Sequence, residues 1–154
     1  MKPSSFCTIA THSCAFELVG LLLSLSLFHK NSHIHIMCDN ATKDYINQLT
    51  PKPQLHISWY LELNEYTHLN RAKMEAMGIF TQFLNSKAKI MLLALTKHKD
   101  VLFLDSDIIL TNSIEDIDKS MMLGVSKQYL VKPSLEETGY FNAGMLWTKS
   151  ARVC

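Results

Sequence analysis

Residues 101–104, Val-Leu-Phe-Leu, are apolar at every position, and Asp105-Ser106-Asp107 follows without a spacer. Successive side chains of a strand point to opposite faces, so a run with no alternation needs cover on both sides. Strands of that kind sit inside parallel sheets, whose crossover helices supply the cover. The same segment puts two carboxylates one residue apart at the carboxyl end of the buried strand. Burying an unpaired charge is costly, so the pair must emerge into a cleft or meet a cation.

The rest of the chain alternates as such a sheet requires. Residues 5–11, SFCTIAT, read as a short buried strand, and His12 or Ser13 as the cap of a helix through CAFELVGLLLSLSLFHK. HIHIMCD (33–39) reads as an alternating strand, and ATKDYINQL as a small helix stopped by Pro51 and Pro53. QLHISWY (54–60) is a third strand, followed by helices expected over about 70–84 and 86–98. Past residue 113, SIEDIDK reads as a short helix or turn, MMLGVS as a strand and YFNAGMLWTK as another. Trp147 reads as a core anchor, and Met121 and Met122 as core filler. No repeat, low-complexity tract or linker interrupts the pattern. The expectation is one domain over residues 1–154, an α/β sandwich with right-handed crossovers.

Composition excludes several classes of function. With 47% hydrophobic and 19% charged residues, the chain can bury a core and is not wholly disordered. The net charge is +1, from 15 basic and 14 acidic residues, with no run of Lys or Arg. That lacks the basic stripe of a nucleic-acid binder, so an anionic ligand must be held by local chemistry. Cys7, Cys14, Cys38 and Cys154 contain no CxxC pair and resemble neither a disulfide framework nor a zinc site. His33 and His35 lack a carboxylate partner nearby and read as ordinary strand residues. The apolar start is broken by Thr11, His12, Ser13 and Glu17, unlike a signal peptide, and residues 18–23 fall far short of the ~20 of a membrane span. A soluble protein of a reducing, cytoplasmic compartment is expected, with no membrane span.

Ligands of open α/β sheets bind outside the carboxyl ends of the strands, where Asp105 and Asp107 stand. In extended backbone the two would point to one side, and their repulsion calls for a cation between them. Hard oxygen ligands suit Mg²⁺ or Mn²⁺, which often bridge to the phosphates of a substrate. The plainer alternative is a turn, since Asp is a common turn residue.

Three segments, in order, resemble the family-8, glycogenin-like glycosyltransferases: FCTIATHSCAF, SKAKIMLLALTKHKDVLFLDSDIIL and GYFNAGMLWTKS. The resemblance implies a GT-A type nucleotide-diphospho-sugar transferase fold, a Rossmann-like α/β/α sandwich with a mostly parallel sheet. It implies that Ala10, Thr11 and His12 line the nucleotide pocket, with Phe16 near the base. Asp105 and Asp107 would ligate Mn²⁺ or Mg²⁺, and Ser106 would approach the ribose. Lys89, sixteen residues before Asp105, would neutralise the diphosphate or grip the sugar. Asn142, Ala143 and Gly144 would face the transferred sugar, the small residues allowing backbone to approach it. Each assignment has a plainer counterpart: a helix cap for Thr11 and His12, a solvated helix charge for Lys89, a turn for FNAG.

The implied activity is metal-dependent transfer of a hexose from a UDP-sugar, with retention, to a sugar, glycan, lipid or protein acceptor. Family members usually continue past the Asn-Ala-Gly segment and add a late histidine to the metal shell. The last histidine here is His98, before the aspartate pair. A chain lacking the C-terminal part is therefore expected, either a partial catalytic domain or a non-catalytic nucleotide-sugar-binding fragment. A partner chain or second copy would then cover the sheet end. Haloacid-dehalogenase-type phosphatases also end an apolar strand in D-x-D, but Ile109 stands where they carry Thr or Val, and their motif lies near the N-terminus.

Overall fold

A computed structural model describes residues 1–127 and 141–151. Among the described residues, six strands and four α-helices follow one another as β1 (Phe6–Ala10), α1 (Ala15–Phe28), β2 (His33–Cys38), α2 (Asn40–Asn47), β3 (His56–Tyr60), α3 (Arg71–Ala76), α4 (Phe80–Leu95), β4 (Val101–Leu104), β5 (Leu123–Lys127) and β6 (Phe141–Thr148). They build one sheet in the order β3-β2-β1-β4-β6-β5. β3, β2, β1 and β4 are mutually parallel, and β6 runs against both β4 and β5.

The unbroken apolar run of β4 is covered on both faces. Leu102 and Leu104 join Phe6, Ile34 and Ile36 beneath Leu18, Leu21, Leu22 and Leu25 of α1. Val101 and Phe103 turn the other way, with Cys7 and Ile9, to meet Ile90, Met91 and Ala94 of α4. Each buried leucine of α1 contributes about 1.5–3 kcal/mol of hydrophobic stabilisation. Trp147 is buried against the α1 side, and its indole N–H donates to Asp100 Oδ1 at 3.2 Å.

Asp100 gathers the amino end of the sheet. The backbone N–H and hydroxyl of Ser4 donate to its two carboxylate oxygens at 2.8 and 2.6 Å, and Lys119 donates at 2.9 Å. Burial alone would raise the Asp100 carboxyl, but the donors from Lys119, Ser4 and Trp147 hold it below the ordinary carboxylate range.

Four details differ from the sequence reading. The helix expected over 70–84 ends at Ala76, because Gly78 takes a left-handed φ of 69° and closes the helix. The Gly78 and Ile79 amides donate to the carbonyls of Glu75 and Met74, both at 3.0 Å, the paired bonds of a Schellman cap. A new helix then runs unbroken from Phe80 to Leu95, through the expected boundary at 85–86. Residues 113–118 form neither helix nor turn. They lie beside α1, where the Ile114 amide donates to His29 Nε2 at 2.9 Å. Met121 and Met122 are 57% and 50% exposed rather than core filler, because β5 begins only at Leu123, at the sheet edge. Among the described residues, no helix is long and apolar enough to cross a membrane.

Candidate functional site

β1 and β4 are parallel neighbours, but the chain leaving β1 goes on to β2 while β4 adjoins β6 on its far side. Their outgoing loops therefore diverge at the carboxyl ends of both strands, the position where such sheets bind ligands. Ala10 and Thr11 leave β1 at this edge, and Asp105-Ser106-Asp107 leaves β4. Because β6 is antiparallel and pairs Met145 with Leu104, residues 142–144 reach the same edge. The Asp105 amide donates to the Gly144 carbonyl at 2.8 Å, joining two of the sequence segments directly. The FNAG segment is strand, not turn, and of Asn142 the backbone position in β6 is what the structure describes.

The β1 loop is held rigidly. Ala10 is fully buried, backbone included, and presents no surface to a ligand. Thr11 is 2% exposed, and its hydroxyl lies 2.9 Å from that of Ser13. The His12 amide donates to Asp39 Oδ2 at 2.9 Å, while the Thr42 amide donates to Oδ1 at 2.6 Å. Asp39 thus caps α2 and anchors the β1 loop with one carboxylate. Burial would raise its carboxyl, but these backbone donors hold it below the ordinary range. Sequence reasoning missed Asp39, although an Asp ahead of a helix whose third residue offers its amide is a recognisable cap signal. The His12 ring is exposed and meets Tyr45 edge-on at 6.2 Å. Phe16, in the first turn of α1, is 77% exposed, an aromatic face open to stacking.

The aspartate segment is a turn rather than extended strand. The Ile108 amide donates to the Asp105 carbonyl at 3.1 Å, which places Asp105 at the first position of a β-turn and Asp107 at the third. Asp105 is therefore half-buried at the strand end and Asp107 exposed at the turn's tip. Beyond the turn, the chain packs closely on α1: a Cβ added to Gly20 would come within 3.4 Å of the Ile109 side chain.

Lys89 does not reach Asp105. It pairs with Glu62, and Lys87 takes the aspartate, with its ammonium 2.7 Å from Asp105 Oδ1 and 5.1 Å from the centre of the Phe103 ring. Two residues along an α-helix turn through roughly 200°, so the two lysines project to opposite sides of α4 and only one can face β4. The charge at this spacing was legible in the sequence, and the choice of lysine was not.

Asp105 and Asp107 supply hard oxygen donors, and among the described residues no group of three or more His, Cys, Asp and Glu is placed to hold an ion. That donor set fits Mn²⁺ or Mg²⁺ bound through one or two carboxylates, with water and ligand phosphate filling the remaining positions. It does not fit an all-protein cage. A cavity of about 410 Å³ lies elsewhere, between residues 113–118 and β4, β5 and β6, and includes none of the aspartate turn.

No family model and no curated protein matches the chain. Solved structures do. The chain is similar to the glycosyltransferase GlyE of Streptococcus pneumoniae TIGR4, with 15% identity and a TM-score of 0.57, covering 97% of this chain and 34% of that one. It is similar to the galactosyltransferase LgtC, in complex with donor and acceptor sugar analogues, with 17% identity and a TM-score of 0.60, covering 97% and 59%. It is also similar to mouse xyloside xylosyltransferase 1, with 12% identity and a TM-score of 0.59, covering 94% and 66%. The chain therefore has the GT-A fold of nucleotide-sugar transferases, and it spans between about a third and two thirds of these neighbours' lengths.

Proposed function

We propose that this chain is a single nucleotide-sugar-binding domain of a glycosyltransferase, taking a UDP-sugar donor and passing a hexose, with retention, to a sugar, glycan, lipid or protein acceptor. The observation that carries the reading is the Asp105–Gly144 backbone bond at the switch point of a GT-A fold. It draws the aspartate turn and the small-residue start of β6 to the edge where the β1 loop also ends.

In this reading, the exposed His12 meets the nucleoside and Phe16 stacks on its base, while the buried Ala10 and Thr11 shape the loop beneath them rather than touching it. Asp105 and Asp107 would hold Mn²⁺ or Mg²⁺, which supplies countercharge to a diphosphate leaving group. Ser106 lies beside the ribose, and Asn142, Ala143 and Gly144 let the donor sugar approach the backbone. Lys87 takes the phosphate-neutralising role first assigned to Lys89, since its ammonium already lies at the aspartate turn. The fold shared with transferases also favours this chemistry over an aspartyl phosphatase.

The test is calorimetry with UDP, GDP and CDP, each with and without Mn²⁺, on the wild type and Asp107→Ala. UDP is expected to bind only with Mn²⁺, at least about tenfold more weakly in the variant, a loss of about 1.4 kcal/mol. Binding indifferent to Mn²⁺ overturns the metal site. A second reading, a module that binds nucleotide-sugar without turnover and works beside a partner chain or second copy, is favoured by the short span relative to the neighbours. Mn²⁺-dependent UDP binding with neither donor hydrolysis nor transfer would select it.

A further inference from the structure

We propose that the cleft between α4 and the segment after β3 is a subsite for a neutral, polyhydroxylated ligand, a sugar unit of the acceptor glycan in the reaction above. The inference rests on that reading for the ligand's role, but the cleft argues for the ligand's chemistry on its own.

The cleft encloses about 350 Å³ above the carboxyl end of β2. Met37, Leu63 and Tyr66 are buried and form an apolar floor. The wall from α4 is different. Gln82, Asn85, Ser86 and Lys89 fall at i, i+3, i+4 and i+7, a single stripe along the helix and polar at every position. A helix stripe beside an apolar floor is ordinarily apolar and closed over it, whereas this one is polar and stands open. Glu62 and Glu65 form the opposite wall.

A sugar ring matches this combination. Its C–H faces suit the floor, and its hydroxyls both donate to carboxylates and exchange paired bonds with side-chain amides. An anionic ligand does not match, because Lys89, the cation lining this cleft, already pairs with Glu62 and leaves the charge of Glu65 uncompensated by it. The location fits as well. β2 and β4 are separated by β1 alone, so the cleft lies roughly 10 Å along the sheet edge from the aspartate turn. The start of β6 lies three strand spacings from β2, roughly 14 Å, so the unit held in the cleft is one of the acceptor glycan other than the one that receives the donor sugar at residues 142–144. Lys89 then belongs to the acceptor side of the site, which accounts for its turning away from Asp105.

The experiment is a titration of the amide spectrum of the isotope-labelled chain with methyl glucoside and methyl galactoside, then with the methyl glycoside of glucuronic acid, uridine, and UDP with Mn²⁺. Saturable shifts are expected at Leu63, Tyr66 and Asn85 with the neutral glycosides, at least fivefold weaker with the glucuronide. Glu65→Ala and Asn85→Ala should weaken glycoside binding at least fivefold and leave UDP binding unchanged, with the dispersion of the spectrum reporting that both variants remain folded. Neutral glycosides that leave these amides unmoved while UDP binds overturn the subsite alone. Uridine moving them in place of the glycosides overturns it as well, by making the cleft a base pocket. Absence of both glycoside and UDP shifts overturns the subsite together with the donor reading.

Discussion

The Lys87 ammonium lies 2.7 Å from Oδ1 of Asp105, so a side-chain cation from α4 already compensates the carboxylate at the end of β4. The pair is partly shielded, with side-chain exposures of 17% and 34%. It acts on whatever cation the aspartate turn receives: an arriving divalent ion competes with the ammonium, while an arriving diphosphate gains from it.

Lys87→Met should therefore separate the two effects. Mn²⁺ alone is expected to bind several-fold more tightly, and UDP in saturating Mn²⁺ several-fold more weakly. Free Mn²⁺ followed by paramagnetic resonance, with calorimetry of UDP, reads both. The fold should be little affected, since partly exposed ion pairs contribute about 1 kcal/mol or less. Equal changes of the same sign in both affinities would contradict the competition.

Asp100→Ala should be among the most destabilising single changes in the chain. It strands the Trp147 indole N–H and the Ser4 amide at a site that is 3% exposed, and it leaves Lys119 unpaired. Removing one side of a buried charged network costs about 3–5 kcal/mol. Urea unfolding should register that loss, and Lys119→Ala, at the wetter partner, a smaller one. Because the folded carboxyl lies below its ordinary value, its stabilisation is present above the unfolded carboxylate range. It is lost as pH falls through the folded value.

Stability should also decline in mildly acidic solution because of His35. Burial pushes its imidazole down to about 4 from the ordinary 6.5, and His98, Lys97 and His33 add repulsion. The Tyr60 hydroxyl sits 3.1 Å from its Nδ1. Burial likewise lowers His98. The unfolded chain binds these protons first, so stability is fully present above 6.5 and falls as pH drops towards 4. The loss from His35 is about 3 kcal/mol at most, since a tenfold change in proton affinity is worth about 1.4 kcal/mol. Chemical denaturation from pH 7.5 to 4.5 should trace the decline, and His35→Phe should flatten it. A wild-type curve already flat over that interval would refute the assignment.

Gly78→Ala should destabilise by about 1 kcal/mol, although a methyl group there would have nothing within 4 Å. The cost lies in the backbone, since φ is 69°. Asn tolerates that conformation better, so Gly78→Asn should cost less, and urea midpoints of the two variants decide it. Equal stability of both with the wild type would mean that the cap has rearranged.

Local patterns were enough for much of this molecule. Val101–Leu104, apolar on both faces, required a two-sided sheet, and the alternation of short strands with helix-length segments specified its α/β character. Asp105 and Asp107 at the end of that run marked where the buried strand leaves the sheet. These are consequences of side-chain period and burial, which a sequence carries openly. The break at Gly78 was also written there, though one glycine within an otherwise helical stretch was too weak a signal to divide it.

What only tertiary structure decided depends on elements distant in sequence. That β6 runs against β4 and brings Gly144 to the Asp105 amide is a matter of register between strands with the whole β5 excursion between them. Whether Lys87 or Lys89 meets Asp105 depends on the rotation of α4 about its axis, which its packing on β1 and β4 sets. The tie from Asp39 to the β1 loop requires two loops to end side by side. Periodicity tells which residues are covered, and only the assembled sheet determines which neighbours they find.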